Sequence, residues 1–186
     1  AAFSDVRGSC ALAWVDISTG AFFVMAVDLA QLGPELARLA PSELVVADRN
    51  EEVLRSVTED FGVPITTLGS AAFDSAAGLG RVTDLFKVAT LDAYGSLSRA
   101  EVGAMGALVE YLEITQKGNL PLLRPPQQEA QAKTVQIDAA TRRNLELTAG
   151  LSGGRVGSVL DAIDHSVTAA GARLLERRIA SPSRVL

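Results

Sequence analysis

Carboxylates at the ends of two predicted strands are the residues best suited to metal-dependent chemistry. Asp16 ends one strand, and Asp48 follows a later short β run. A two-metal nuclease needs several converging carboxylates that hold its metal ions about 4 Å apart. Asp74 and Asp92 lie in predicted loops, and no third ligand is identified among them. The favoured interpretation is therefore that Asp16 stabilises the Ser-Thr-Gly turn that follows it.

Other reactive side chains lack the partners that catalysis requires. His165 is the only histidine; it precedes a predicted helix, which favours a solvated or helix-capping role. Cys10 is the only cysteine, so it cannot form an internal disulfide, and it is interpreted as a small buried hydrophobe. The dipeptide Gly-Lys never occurs, so there is no Walker-type phosphate-binding lysine. The sequence therefore predicts no catalytic residue and no metal site.

A polar run, DAATRRNLEL, opens the last part of the chain. Asp138 can accept backbone N–H groups as a helix N-cap, and Gly150 stands where a C-terminal stop belongs, which predicts a helix of about three turns. Arg142 and Arg143, followed by Asn144, place two positive charges on neighbouring faces of that helix. Salt bridges and caps between domains are favoured for this pair, and phosphate contact is the alternative.

The elements before this run predict an α/β domain. Residues 10–17 and 21–27 form two antiparallel strands, preceded by a short apolar segment and a turn at residues 5–8. Alternating elements follow: a helix that starts at Gly33-Pro34, strands at residues 43–47 and 65–68, and helices at 51–61 and 75–88. Hairpins followed by parallel crossovers predict a mixed sheet flanked by helices, which is the ribonuclease H-like arrangement.

The longest predicted helix covers residues 98–116. Ser98 and Glu101 form a capping box at its start, and apolar residues recur along one side. Gly103 and Gly106 weaken a helix interior. We therefore expect another backbone to approach closely at these two positions.

Residues 118–133 contain three prolines and three glutamines and predict a semi-rigid, extended linker. Residues 134–186 predict a second, all-α part. Its elements are a short β-type run at residues 134–137, the helix that starts at Asp138, and short helices at residues 158–164 and 168–180. The apolar residues of these helices are too many for three short helices to bury, so we expect them to be exposed, mobile or paired with a second copy. They are Leu160, Ile163, Leu174, Leu175 and Ile179.

The composition predicts a folded, soluble chain with an uneven charge distribution. Hydrophobic residues make up 48% and charged residues 21% of the 186 residues. No apolar run approaches the roughly 20 residues that span a bilayer. Residues 1–117 contain 16 acidic and 8 basic residues, a net charge of −8; residues 118–186 contain 6 and 9, a net charge of +3. The first part should therefore repel a phosphate backbone and bind DNA poorly.

Four segments, in order, resemble the MutS family of DNA mismatch-repair proteins. They are ALAWVDISTGAF at residues 11–22, ALVEYLEITQK at 107–117, DAATRRNLEL with the following Gly153-Gly154, and VLDAIDHSVTAAGARLLERRIASP at 159–182. The third looks like the signature that opens the core domain in that family. A single match would be weak, whereas four in sequence over nearly the whole chain are specific.

The resemblance implies a division into three parts. Residues 1–117 resemble the connector domain, with a ribonuclease H-like fold; residues 118–133 are the linker; residues 134–186 resemble the N-terminal part of the helical core or lever domain. In the family these parts couple a mismatch-binding domain, which carries a Phe-x-Glu motif, to a C-terminal ATPase domain, and the connector docks MutL. Neither the Phe-x-Glu motif nor a Walker-type phosphate-binding motif occurs in this sequence. The resemblance thus implies that this chain is a non-catalytic coupling and docking segment without cofactors. Its parent protein would be a dimeric, DNA-dependent ATPase that binds ATP, Mg and mismatched DNA through other domains.

Two groups of residues are carried over from the family. The core-domain signature is Asp138, Thr141, Arg142, Arg143 and Asn144. The positions that the resemblance implies for contact with MutL are Ala2, Phe3, Gly80, Arg81, Thr83 and Asp84. The alternative for Arg81 and Asp84 is an ordinary solvated helix face.

Two rival functions remain open from the residues. One is a ribonuclease H-like, metal-dependent nuclease domain that uses Asp16 and Asp48; the other is a stand-alone structural adaptor. The chain begins with Ala1 and not with Met, so we expect a piece of a larger protein. We further expect a cytoplasmic, nucleoid-associated location, and a homodimer of the fragment through its exposed core helices.

Overall fold

The computed structural model describes residues 1–129, 135 and 137–184. The chain divides into two units. Unit 1 comprises Ala1–Leu36 and Ala40–Glu129, and unit 2 comprises Ala37–Leu39 and Ala130–Leu186. In the part of the chain that the structure describes, no helix combines the length and the apolar character needed to cross a membrane.

Unit 1 is built on a six-stranded mixed sheet with the order β5-β4-β1-β2-β3-β6. The strands are β1 (Ala2–Val6), β2 (Ser9–Asp16), β3 (Ala21–Ala26), β4 (Leu44–Ala47), β5 (Ile65–Leu68) and β6 (Gln127–Gln128). Strands β1, β2 and β3 pair antiparallel, whereas β4 is parallel to β1, β5 to β4 and β6 to β3. Two hairpins followed by parallel crossovers confirm the predicted α/β, ribonuclease H-like fold class.

Strand β1 lies inside the sheet, between β2 and β4, although the sequence pattern does not identify it as a strand. The turn predicted at residues 5–8 is shorter in the structure, because Asp5 continues the strand. Only Arg7 and Gly8 turn, with positive φ angles of 55° and 84°. The Gly8 N–H donates to Asp5 Oδ1 at 2.9 Å and closes this turn. The prediction was wrong here because Asp5 and Val6 pair with Cys10 and Ser9 of β2, which extends the hairpin up to Arg7 and Gly8.

Helices cover both faces of the sheet. On one face, α3 (Ser75–Phe86) and α4 (Arg99–Thr115) pack on a buried set that includes Ala2, Ala11, Ala13, Phe22, Val24 and Val45. Neighbouring residues along a strand face opposite sides, so the equally buried Phe3, Leu12, Met25, Leu44 and Val46 face the other layer. There α1 (Leu29–Leu39) and α2 (Glu51–Asp60) bury Leu32, Leu36 and Leu54. Burial of each such Leu stabilises the fold by about 1.5–3 kcal/mol.

Helix α1 begins earlier than predicted. It starts at Leu29, so Pro34 lies inside the helix and not at its first turn. Proline has no N–H, and the helix loses one hydrogen bond at this position. Leu32 and Leu36 are both fully buried and stand one turn apart on one face of α1. Their burial favours the longer helix.

Helices α3 and α4 approach backbone to backbone, as the glycines predict. A Cβ added to Gly106 would lie 2.3 Å from the Gly78 Cα, and a Cβ added to Gly103 would lie 2.6 Å from the Phe73 carbonyl oxygen. The predicted capping box of α4 is also confirmed. The Glu101 N–H donates to Ser98 Oγ at 3.2 Å, and the Ser98 N–H donates to Glu101 Oε2 at 2.7 Å.

Residues 120–129, called the strap below, differ from the predicted extended linker because they join the sheet. The Arg124 N–H donates to the Gly20 carbonyl at 2.7 Å, and the Glu129 N–H donates to the Val24 carbonyl at 2.8 Å. Leu123 is buried in the core of unit 1. Main-chain pairing and the burial of Leu123 thus hold this segment on the sheet although its composition is polar. Residues 130–133 of the predicted linker, and residues 134 and 136 of the predicted β-type run, lie outside the described residues.

Unit 2 contains, in its described part, α5 (Ala139–Asn144), α6 (Val159–Ile163) and α7 (Ala169–Ala180). The predicted helices at residues 158–164 and 168–180 are confirmed, but α5 is half the predicted length. It ends before Glu146, whose φ is +47°. The carbonyls of Glu146 and Leu147 accept the N–H groups of Val159 and Leu160, at 2.9 and 3.0 Å. The start of α6 therefore takes the acceptors that a longer α5 would use.

Burial in unit 2 is sparse. Five apolar residues were expected to be exposed. Ile163 and Leu174 are exposed, but Leu160 is fully buried. Leu175 and Ile179 are half-buried. The expectation thus holds for part of the set.

Candidate functional site

The residues predicted for partner contact divide between the core and the surface of unit 1. Ala2 and Phe3 lie on β1 and are only 0% and 2% exposed. Their side chains face opposite helix layers of the sheet. These two side chains are buried beneath the helices that cover the two faces of the sheet, which corrects the prediction that they face a partner.

Arg81 is engaged within unit 1. Its Nη1 donates to the Ala72 carbonyl at 3.0 Å, and its Nη2 forms an ion pair with Glu110 of α4. The side chain is 26% exposed. Arg81 is therefore neither a free docking residue nor an ordinary solvated residue, since it ties α3 to α4 and to the 3₁₀ turn Ser70–Phe73.

The remaining predicted residues lie on the outer side of α3. Gly80 is exposed, and a Cβ added there would meet no atom within 4 Å. Thr83 is half-buried, and its Oγ1 donates to the carbonyls of Leu79 and Gly80. Asp84 is exposed near the end of the helix. Because residues three and four apart share a helix face, Leu79, Gly80, Thr83 and Asp84 form one surface, called the α3 surface below.

Leu79 is not among the residues predicted for this surface. It is 44% exposed although α3 is packed in unit 1. A large apolar residue on the outward side of an amphipathic helix is the sequence signal that indicates it. Leu79 and Asp84 thus give the α3 surface one apolar and one acidic side chain.

The family-signature residues form the start of α5. Asp138 is the helix N-cap, as predicted: its Oδ1 accepts the Thr141 N–H at 2.9 Å, and its Oδ2 accepts the Thr141 hydroxyl at 2.6 Å. These bonds hold the pKa of Asp138 below its ordinary value. Arg142 is buried, whereas Arg143 and Asn144 are exposed. Burial of Arg142 supports the structural interpretation of this arginine, and Arg143 keeps an accessible charge.

Asp16 organises the turn between β2 and β3, which confirms the turn-stabilising interpretation. Its Oδ1 accepts the Ser18 N–H at 2.9 Å, and its Oδ2 accepts the Thr19 hydroxyl at 2.8 Å. Partial burial raises the pKa of Asp16, but the hydrogen bonds from Ser18 and Thr19 outweigh burial, and the pKa lies below its ordinary value.

The two carboxylates of the nuclease hypothesis lie at opposite ends of the sheet. Ala2 pairs with Ala13 of the antiparallel β2 and with Val45 of the parallel β4. Asp16 is three residues beyond Ala13 and Asp48 three beyond Val45, in opposite directions, which separates them by about 20 Å along the strands. They cannot share a pair of metal ions. Across the described residues, no three His, Cys, Asp or Glu side chains are placed to hold a metal ion.

Cys10 is half-buried on β2 and not fully buried, which corrects the prediction. Desolvation, and then the nearby carboxylates of Asp5 and Asp28, raise the pKa of its thiol. The thiolate is the nucleophilic form. Cys10 is therefore held in its less reactive state.

Comparison with known proteins identifies the family of the chain. A family model described as MutS domain II matches residues 1–124, and one described as MutS domain III matches residues 140–186. The DNA mismatch repair protein MutS of Roseobacter denitrificans is 63% identical over 184 residues, which are 99% of this chain and 21% of that protein. The proteins of the same name from Ruegeria sp. and Paracoccus denitrificans are each 59% identical over 186 residues.

These relatives are much longer than the chain, which spans about a fifth of their length. Unit 1 largely coincides with the match to MutS domain II, and the described helices of unit 2 lie almost wholly within the match to MutS domain III. The chain therefore belongs to the MutS family of DNA mismatch-repair proteins and carries its domain II together with a segment of its domain III.

Proposed function

We propose that this chain is the non-catalytic part of a MutS-type mismatch-repair ATPase that couples mismatch binding to the ATPase and docks MutL. The observation that carries the proposal is the consecutive match to MutS domains II and III in one chain. In this proposal, mismatched DNA, ATP and Mg are bound by other parts of a dimeric parent protein. The net charge of −8 in residues 1–117 supports a protein-docking role for unit 1 over a direct grip on DNA.

We propose the α3 surface as the part of unit 1 that contacts MutL. It offers an exposed leucine, Leu79, beside an unfilled space at Gly80 and the carboxylate of Asp84. The helix that carries it is held firmly, through the contact of Gly78 with Gly106 and the Arg81–Glu110 ion pair. A rigid element suits a docking surface because little order is gained on binding.

Binding of purified MutL to the immobilised chain tests this surface. Asp84→Lys reverses a charge on it, and Gly80→Gln places a side chain in the space at Gly80; each should weaken binding roughly tenfold or more. Gly80→Gln also removes a helical glycine, which favours folding by up to about 1 kcal/mol, so its loss of binding cannot be attributed to unfolding.

Asp60→Lys is the matched control. It makes the same charge change at the exposed end of α2, in the other helix layer, and should leave binding unchanged. Native-like binding by both α3 variants would exclude the α3 surface while leaving the docking role intact. No binding of the native chain, at concentrations where full-length relatives bind, would contradict the docking role itself.

We also propose that the chain forms a homodimer through unit 2. Large aliphatic side chains are exposed on and beside its helices, where a second copy would remove them from water. They include Val156, Val159, Ile163, Val167 and Leu174. Light scattering should give the mass of a dimer, and Leu174→Glu should shift it towards the monomer. Val53→Glu, at an exposed position of α2, is the control; a monomeric native chain at high concentration would overturn this proposal.

A further inference from the structure

The strap is attached to unit 1 by few bonds. Strand β6 has two residues and pairs in parallel at the edge of the sheet, and parallel pairing is the slightly weaker arrangement. Pro121, Pro125 and Pro126 have no N–H to donate. Two main-chain bonds lie on either side of Pro125 and Pro126, from Arg124 to Gly20 and from Glu129 to Val24. Leu123 and Pro126 are buried and anchor the strap, so its opening is a local excursion to a minor state of the protein.

The side chain of Gln128 forms the specific contact of the strap. Its Nε2 donates to Glu101 Oε1 at 2.8 Å and lies 3.3 Å from the Ser96 carbonyl oxygen. Gly95, with a φ of +118°, makes room for it: a Cβ at Gly95 would lie 2.6 Å from Gln128 Oε1. Gln127 and Gln128 are both exposed, and both enter the sheet through their main chains.

Glu101 connects the strap to the start of α4. Its side chain belongs to a residue that is only 2% exposed. One carboxylate oxygen, Oε2, accepts the Ser98 N–H and closes the capping box, and the other, Oε1, accepts Gln128 Nε2. Departure of the strap would remove this donor from the Glu101 carboxylate, a loss of about one hydrogen bond. The same carboxylate therefore stabilises both the attached strap and the capped helix.

We infer that Gln128 is a latch that makes attachment of the strap and order at the start of α4 a single two-state element. This inference deepens the proposed coupling function and rests on it for its biological role. The chain continues directly from the strap towards the segment that matches MutS domain III. Tension on that segment would detach β6, loosen the capping box through Glu101, and reach the α3 surface through the contact of α4 with α3 at Gly106 and Gly78.

Amide hydrogen exchange of the 186-residue chain, measured by NMR, tests the latch. Gln128→Ala should raise the exchange rates of the strap amides of Arg124 and Glu129 roughly tenfold, and those of Ser98 and Glu101 by a similar factor, as expected for the loss of about one hydrogen bond. Gln128→Glu keeps the size of the side chain but places two carboxylates in contact. It should produce a larger increase at the same four amides.

Two further variants complete the test. Gln127→Ala changes the same residue type one position earlier and should leave all four rates unchanged. Ser98→Ala removes the capping hydroxyl and should speed exchange at Arg124 and Glu129, because the coupling is reciprocal. Unchanged strap amides in Gln128→Ala, or faster strap amides without any change at Ser98 and Glu101, would overturn the inference. These rates are measured without MutL, so failure of the latch and failure of the docking proposal are distinguished.

Discussion

Unit 1 and unit 2 are stabilised by different means. In unit 1 both faces of a sheet are covered by helices, and apolar side chains from its strands and helices are almost fully buried. In the described part of unit 2, Leu160 and Ala180 are the buried apolar residues, whereas Leu151, Val156 and Val167 are largely or completely exposed. Unit 1 thus carries its own core, while unit 2 presents apolar surface that it does not bury.

Polar contacts between near neighbours in sequence replace the core in unit 2. Each helix begins at a side-chain cap, namely Asp138, Ser158 and Thr168. The loop between α5 and α6 is closed by Glu146, whose Oε1 accepts the Leu151 N–H at 2.6 Å. Such contacts form locally and contribute modestly to stability. The stability of unit 2 should therefore depend on pH and on single polar groups, whereas the stability of unit 1 should depend on packing.

The largest expected effect is on packing in unit 1. Gly106→Ala places a Cβ against the Gly78 backbone, which cannot move without displacing α3, and should lower the free energy of unfolding by about 3 kcal/mol. Gly80→Ala, on the open side of α3, should raise it by up to about 1 kcal/mol. Urea unfolding followed by the fluorescence of Trp14, the only tryptophan, measures both. Equal effects of the two substitutions would show that α3 and α4 are not in close contact.

A smaller effect is expected in unit 2. In the described part of unit 2, Leu160 is the one large apolar side chain that is fully buried. Leu160→Ala should cost about 2 kcal/mol, at the low end for buried leucines because the surroundings are thinly packed. Ile163→Ala, at an exposed position of the same helix, should change stability by less than about 0.5 kcal/mol. Thermal unfolding by circular dichroism measures the loss. If the unfolding transition of Trp14 shifts with Leu160→Ala, the two units unfold together, and they are not stabilised independently.

The smallest effect is on the pH dependence of unit 2. Hydrogen bonds from Arg155, and then from Ser166, lower the pKa of Asp164 to about 2. The folded pKa lies below the ordinary value of about 3.9, so the stabilisation is complete above that pH and is lost as the pH falls towards 2. Asp164→Asn should remove this part of the acid dependence. An NMR titration of the Asp164 carboxyl with a midpoint near 3.9 would contradict the contact.

Local patterns in the sequence were enough to predict much of this molecule. Helices α2, α3 and α4 follow from apolar residues at helical spacing, and the caps at Ser98 and Asp138 follow from side chains that bond backbone groups three residues away. The turn at Asp16 is predictable for the same reason. In each case the residues that decide the structure are neighbours in the chain.

The candidate site was predictable only in part. The family resemblance placed it on α3, but four of its features depend on distant contacts: the burial of Ala2 and of Phe3, the ion pair of Arg81 with Glu110, and the exposure of Leu79. The pattern of α3 does not show which helix covers it. That information resides in the glycine contact with α4.

The sequence by itself determined the fold class, the family and most helix starts, because hydrophobic periods and capping residues act over a few positions. Only the tertiary structure decided that Ala2–Val6 is an interior strand, that the strap joins the sheet, and that α5 stops before Glu146. Each of these outcomes depends on backbone N–H and carbonyl groups whose partners are many residues away. Every residue type except proline offers the same donor and acceptor, so the sequence does not encode those pairings locally.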